Sequence, residues 1–177
     1  MTTTTFGPDT GDLTLHTGVA GKASRTGHRL TIGFTDWSAT VDGDVPSQVT
    51  VRVGVPTLQI VSGEGGLTPM SAPERGVARG NALKSLKADD FGEITFVSTD
   101  VNADGDGYRV DGTLTLAGKS RDHSVVVAPV GAGADRHVVG ETTVRHSDFG
   151  IKQYSAMMGA LKVADEVTVR LDLSVPE

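Results

Sequence analysis

The segment from Arg145 to Gly150 places a histidine, a serine and an aspartate side by side, which are the residue types of a hydrolytic triad. Triad chemistry requires the three side chains to converge, with the serine hydroxyl within hydrogen-bond reach of the imidazole. On an extended strand, His146 and Asp148 point to one face and Ser147 points to the other. The chain also lacks a Gly-x-Ser-x-Gly nucleophile elbow. The spacing therefore predicts a structural hydrogen bond between His146 and Asp148, without catalysis.

Two other segments resemble binding loops for phosphate or calcium. Ala117–Asp122 contains the Gly-Lys-Ser of a phosphate-binding loop, but Thr113 stands where that loop requires a glycine. Asp100–Asp111 has the acidic spacing of a calcium loop, but it ends on an aspartate and lies between strand-like segments. Both are rich in turn-forming residues, so both predict turns between strands. No two of the five histidines have the spacing of a zinc-binding helix, and the sequence predicts neither a metal ion nor a cofactor.

The composition limits the classes of function that the chain can have. Its 177 residues suffice for one domain with a sizeable core. The net charge of −6 and the scattered lysines and arginines argue against a nucleic-acid partner. The absence of cysteine excludes disulfides, thiolate metal ligands and a cysteine nucleophile. Without an apolar leader or an apolar run of membrane-spanning length, and with an initiator methionine, we expect a soluble cytoplasmic chain with no membrane span.

Alternation of apolar and polar residues predicts eight long strands that form an antiparallel meander. Eight strands are enough to close a barrel, so the expected fold is an all-β barrel. A short helical insertion is expected near residues 73–89, after the third strand. Residues 1–11 are expected to be a loose lead-in, and residues 12–177 a single domain. The predicted strands cover residues 12–22, 27–41, 46–61, 93–101, 108–118, 123–130, 137–151 and 163–175.

Four segments, in this order and spacing, resemble the YceI-like family over residues 12–175. They are GKASRTGHRLTIGFTDWSATV, NALKSLKADDFGEITFVS, VDGTLTLAGKSRDHSVVV and DFGIKQYSAMMGALKVADEVTVRLDL. The resemblance implies an extended, lipocalin-like eight-stranded antiparallel barrel whose apolar tunnel holds one long-chain amphiphile. It also implies a polyisoprenoid as the ligand class, such as a polyprenyl quinone or a polyprenyl phosphate. Many relatives carry export signals.

Strand parity predicts which residues line the tunnel. Gly112 is expected to leave room for a ligand, since it has no side chain on an inward-facing position. His28, at a strand entrance, is expected either to contact the headgroup of a ligand or to bond to nearby backbone. The apolar lining is predicted to comprise Leu30, Ile32, Phe34, Val51, Val53, Phe96, Leu114, Leu116, Val169 and Leu171.

The segment from Tyr154 to Leu161, YSAMMGAL, is unusually apolar for a connection between strands. Met157 and Met158 are flexible and adapt to irregular apolar partners. They are expected, together with Tyr154, to plug the end of the barrel or line its tunnel. The alternative is a small satellite core under a loop.

The sequence thus predicts a non-enzymatic protein that binds a long-chain isoprenoid, or another amphiphilic lipid, for storage or transport. One alternative is an enzyme that acts on a small apolar substrate inside the barrel. Another is a structural barrel whose bore is filled by its own side chains. A homodimer is left open as an oligomeric state.

Overall fold

The computed structural model describes residues 2–176, which form one strongly curled antiparallel sheet and one α-helix. The strand order across the sheet is β1-β4-β5-β7-β8-β9-β10-β12-β2-β3-β6, and β11 pairs with β12. The all-β, antiparallel barrel class predicted from the sequence is confirmed. The elements are β1 Thr3–Phe6, β2 Gly11–Ala20, β3 His28–Phe34, β4 Trp37–Asp42, β5 Gln48–Gly54, β6 Leu58–Gly65, α1 Ala72–Ser85, β7 Glu93–Asp104, β8 Gly107–Leu116, β9 Lys119–Val130, β10 His137–Arg145, β11 Ser155–Ala156 and β12 Leu161–Ser174.

The described residues contain twelve strands where eight were predicted, because two long strands are bent and two short strands are added. The predicted strand at 27–41 is divided into β3 and β4, and the one at 46–61 into β5 and β6. Backbone hydrogen bonds continue across both bends, from Gly54 N to Asp36 O at 2.9 Å and from Thr35 N to Thr57 O at 3.4 Å. The two bent strands form a hairpin, in which β5 pairs with β7 on one side and β3 pairs with β2 on the other. The hairpin therefore joins the two sides of the sheet and curls it.

The prediction that residues 1–11 form a loose lead-in is wrong for Thr3–Phe6. Thr3–Phe6 forms β1, antiparallel to β4, and Phe6 is opposite Ala39 and buried. A run of four threonines shows no apolar alternation, so the pattern gave no sign of a strand. Threonine is nevertheless β-branched and suited to a sheet, and Phe6 anchors the strand in the core.

The helical insertion is a single helix, α1. Its first turn is closed by a capping box, in which Ser71 Oγ accepts from Glu74 N at 3.3 Å and Glu74 Oε1 accepts from Ser71 N at 3.4 Å. Gly76 and Gly80 lie inside the helix without interrupting it. No helix within residues 2–176 is long and apolar enough to cross a membrane.

Helix α1 packs against β6, which within the described residues has a sheet partner only on the side of β3. The Arg79 guanidinium donates from Nε to Leu58 O and from Nη2 to Pro56 O, each at 2.8 Å. These carbonyls belong to the unpaired edge of the strand or to the turn before it. The helix therefore covers an edge that would otherwise expose hydrogen-bonding groups.

The buried side chains form two clusters. The first surrounds Trp37, which is 3% exposed, and the second surrounds Phe96 and Phe149. Three partly buried residues pack against both clusters: Val51, Leu86 and Ile94. The space inside the curled sheet lies between these clusters.

Candidate functional site

A cavity of about 690 Å³ occupies the interior of the curled sheet. Its volume falls within the ~300–1,000 Å³ typical of ligand sites. Inward residues of β2, β3, β5, β7, β8, β10 and β12 form most of its wall, and α1 contributes Ala78 and Ala82. Leu67 and Tyr154 line the cavity and are 79% and 46% exposed. These two residues mark a mouth, at the end of the sheet where β6 ends and β12 begins.

The cavity stops short of the opposite end of the sheet. Phe6, Trp37, Ala39 and Leu173 are buried together there, and none of them lines the cavity. Trp37 is therefore a core residue, as its large apolar body suggests. The cavity thus has a filled end at Trp37 and a mouth at the other end.

Most of the predicted lining residues surround this cavity. Their side chains share a face because alternate residues of a strand point to the same side of the sheet. The residues that the structure brings together are His28, Leu30, Ile32, Phe34, Val51, Val53, Phe96, Leu114, Leu116, Tyr154, Val169 and Leu171.

Gly112 does not line the cavity, which corrects the expectation that it leaves room for a ligand. It is buried beneath the ring of Phe96 on the neighbouring strand. A Cβ atom at this position would lie 2.7 Å from the Phe96 ring and 2.5 Å from the carbonyl oxygen of Val97. The space that the glycine leaves is thus used by Phe96.

Met157 and Met158 also lie outside the cavity lining, and both sequence interpretations of this pair are corrected. Their side chains are 60% and 106% exposed, so they form neither a plug nor a satellite core. Both residues have left-handed backbone conformations, with φ of 51° and 55°, in the turn Met157–Gly159. The reversal of the chain at this turn directs both side chains into solvent.

The predicted hydrogen bond between His146 and Asp148 does not form. Residues His146–Phe149 form a 3-10 turn, so the strand alternation on which the prediction depended does not apply. His146 Nδ1 instead donates to Asp165 O at 2.8 Å, and Ser147 Oγ donates to Asp165 Oδ2 at 2.6 Å. The hydroxyl and amide of Ser147 hold the pKa of Asp165 below its usual value. The serine hydroxyl is thus bound to a carboxylate and not to the imidazole that a triad would require.

Besides His146, two further histidines contribute polar groups to the cavity wall. His28 Nε2 donates to Thr68 O at 2.7 Å, which ties the start of β3 to the loop after β6. His123 Nε2, on β9, is hydrogen-bonded to Thr142 Oγ1 at 2.8 Å. Burial lowers the pKa of His123, and the charge of Asp148 opposes this effect only in part. His123 is therefore a neutral imidazole at pH 7.

Sequence reasoning missed His123 as a lining residue. Its strand contains three consecutive valines, 125–127, which obscure the parity of the inward face. The register of β8 and β9 places His123 opposite inward-facing Gly112 and resolves the parity. Within residues 2–176, no group of three or more His, Asp or Glu side chains is arranged to hold a metal ion.

Comparisons with known proteins place this geometry among related folds. A model of the YceI-like domain matches residues 14–175. The crystal structure of Burkholderia cenocepacia BcnA superposes with a TM-score of 0.65 at 19% identity, over 93% of this chain and 96% of that chain. A Campylobacter jejuni YCEI protein superposes with a TM-score of 0.62 at 17% identity, over 82% and 84%. A mutant of the latter, with a monobromobimane guest, gives the same values. No curated protein sequence matches the chain.

Proposed function

This chain belongs to the YceI-like domain family, and from this premise we propose that it binds a long-chain amphiphilic lipid for storage or transport. The family is known for barrels that bind lipids and polyisoprenoids. The observation that carries the proposal is the apolar cavity of about 690 Å³ with a mouth at one end. A structural barrel filled by its own side chains would not leave this volume. The ligand class that we propose is a polyisoprenoid, either a polyprenyl quinone or a polyprenyl phosphate.

The extent of the lining favours a long chain over a compact metabolite. On β12 alone, Val163 and Leu171, eight positions apart, both contact the cavity. At ~3.3 Å per residue, eight residues of strand extend over roughly 25 Å. Branched apolar side chains dominate this path, and they suit an isoprenoid chain because both partners are irregular hydrocarbons.

The mouth offers polar groups for the headgroup of such a lipid. Arg145, His146 and Lys162 all contact the cavity there. Arg145 also forms an ion pair with Glu166 at 2.9 Å, whereas Lys162 forms none within residues 2–176. A phosphate would gain a charge-assisted hydrogen bond from Lys162. A quinone would gain only a hydrogen bond to a neutral oxygen.

The test is native mass spectrometry of the full-length protein, followed by solvent extraction and by addition of polyprenyl phosphate or polyprenyl quinone. Ala82→Trp should obstruct the cavity from the helix, because Ala82 lines the wall without belonging to the sheet. Val77→Trp is the matched control, since Val77 is 64% exposed on the same helix. A bulky substitution at Gly112, such as Gly112→Phe, cannot be used to obstruct the cavity, because the new side chain would collide with the backbone of β7.

We expect a 1:1 lipid adduct with the wild-type protein and with Val77→Trp, and at least tenfold weaker binding with Ala82→Trp. Stronger binding of the phosphate than of the quinone would identify Lys162 as a headgroup contact, and Lys162→Met should then abolish that preference. Equal binding by wild type and a folded Ala82→Trp variant would overturn the proposal.

A further inference from the structure

The turn Met157–Gly159 holds two methionine side chains in solvent near the mouth of the cavity. Tyr154, three residues before the turn, lines the mouth and is itself 46% exposed. Exposing neighbouring large apolar side chains is unfavourable, and contiguous patches of this kind mark interaction sites. The left-handed backbone of both methionines adds a further unfavourable contribution, since only glycine adopts it freely.

The surrounding structure keeps this turn in place. Residues Ser155 and Ala156, before the turn, pair with Lys162 and Leu161 at the start of β12. The carbonyl of Ala160, just after the turn, accepts from Ala23 N at 2.7 Å. The methionines are therefore presented on a supported turn, and strain that persists in a supported segment is characteristic of functional sites.

The hydrogen bond from Ala23 N to Ala160 O joins two segments that are rich in basic residues. Residues 18–27 and 149–163 contain four lysines or arginines and no aspartate or glutamate, although the whole chain has a net charge of −6. None of the four forms an ion pair with another part of the chain that the structure describes. Among the nearby carboxylates, those of Asp165 and Glu166 are already bound by Ser147 and Arg145. The four basic residues are Lys22, Arg25, Lys152 and Lys162.

We infer that these two segments, here called the mouth surface (residues 18–27 and 149–163), dock on an anionic lipid bilayer. Basic residues around exposed apolar side chains are the composition of protein surfaces that lie in a membrane interface. The lysines and arginines attract the anionic headgroups, and the flexible side chains of Met157 and Met158 insert between the lipids. In this orientation the mouth of the cavity faces the bilayer. The inference goes beyond lipid binding, since it concerns where a ligand is exchanged.

The first test is flotation of the full-length protein with vesicles of phosphatidylglycerol mixed with phosphatidylcholine, and with phosphatidylcholine alone. We expect binding only to the anionic vesicles, and release at high salt because salt screens exposed charges. The double change Met157→Ser and Met158→Ser should weaken partitioning at least about tenfold. Val126→Ser with Val130→Ser is the matched control, because both valines are half-exposed on β9, far from the mouth surface.

A pair of charge reversals tests the basic residues separately. Lys22→Glu with Lys152→Glu should abolish binding to the anionic vesicles. Arg109→Glu with Arg136→Glu changes the net charge equally, but these exposed residues lie near the start of β8 and just before β10, at the end of the sheet away from the mouth. That control should retain most of the binding, because only local charge is within a screening length of the bilayer.

A fluorescent label locates the contact. Because the chain has no cysteine, Met158→Cys provides a single site for an environment-sensitive fluorophore. Its emission should shift to the blue with anionic vesicles, whereas a label at Val130→Cys should not respond. Absence of wild-type binding to the anionic vesicles, or equal loss in the mouth and control variants, overturns the inference.

The inference and the proposed function fail in different measurements. The methionine variant should bind detergent-dispersed polyprenyl lipid as the wild type does, because Met157 and Met158 do not line the cavity. Ala82→Trp should still bind vesicles, because Ala82 lies outside the mouth surface. Loss of lipid binding in the methionine variant would show that the turn belongs to the binding site and would overturn its assignment to docking.

Discussion

A histidine side chain in an apolar cavity has its charge state set by its surroundings. His123 is half-buried, and its Nε2 atom is hydrogen-bonded to Thr142 Oγ1. Thr142 can in turn donate to Ser124 O at 3.4 Å. Since burial disfavours the imidazolium form, a neutral His123 is the form compatible with an apolar ligand beside it.

The lowered pKa of His123 predicts a pH dependence of stability. The unfolded state binds a proton near pH 6.5, the ordinary value, whereas the folded state binds it only at lower pH. The stability contributed by neutral His123 is therefore present above about pH 6.5. It is lost as the pH falls from the pKa of the unfolded state toward the lower pKa of the folded state. We expect the free energy of unfolding to fall less steeply below pH 6.5 in His123→Gln than in the wild type.

Chemical denaturation at a series of pH values measures this difference. An NMR titration of the His123 ring protons in the folded protein checks the cause directly. A midpoint at or above the ordinary histidine value would contradict the burial of this side chain. Thr142→Val is a further control, because it removes the hydrogen-bond partner without changing the number of histidines.

At the scale of elements, α1 stands where the sheet has an unpaired edge. The side chain of Arg79 donates hydrogen bonds to carbonyl groups at that edge, which a neighbouring strand would otherwise supply. Ala78, Ala82, Leu83 and Leu86 meanwhile pack against the core. The helix therefore serves both as an edge cover and as part of the cavity wall.

Arg79→Met should show the contribution of this edge cover. Methionine retains an apolar stem but leaves the carbonyls of Leu58 and Pro56 without the guanidinium. We expect the free energy of unfolding to fall by about 1.5–3 kcal/mol, the usual range for a hydrogen bond that involves a charged group. Arg75→Met, on the exposed part of the same helix, should change it by less than about 0.5 kcal/mol. Equal effects of the two changes in urea denaturation would show that the hydrogen bonds to β6 contribute nothing.

At the scale of the whole molecule, the cavity links ligand binding to global stability. A ligand that binds only the folded protein stabilises it by mass action, by about 2.7 kcal/mol at a concentration of 100 times Kd. For a chain of this size, ~1 kcal/mol shifts Tm by roughly 2–4 °C. We therefore expect a polyprenyl ligand at this concentration to raise the Tm of the delipidated protein by about 5–10 °C.

Calorimetry of delipidated protein with detergent-dispersed ligand, against detergent alone, measures this shift. Val77→Trp should show the full increase and Ala82→Trp little or none. A similar increase in both variants would mean that the ligand stabilises the protein from outside the cavity.

The sequence by itself determined the fold class and part of the cavity wall. Alternation along a strand is a local property, and it assigns each side chain to one face whatever the strand pairs with. This is why residues such as Ile32, Leu114 and Val169 could be assigned to one apolar interior before any pairing was known. The capping box at Ser71 is likewise local, so the helical insertion was predictable within a few residues.

Tertiary structure decided the features that depend on residues far apart in the chain. The pairing of β1 with β4, and the hydrogen bond of His123 with Thr142, depend on register between separate strands. Gly112 lies under a ring from the neighbouring strand, which sequence alone does not show. Met157 and Met158 take left-handed conformations that their residue type disfavours, because β11 and Ala23 hold the turn. A local pattern specifies the face of a strand, whereas register and the sign of φ at a turn follow from long-range contacts.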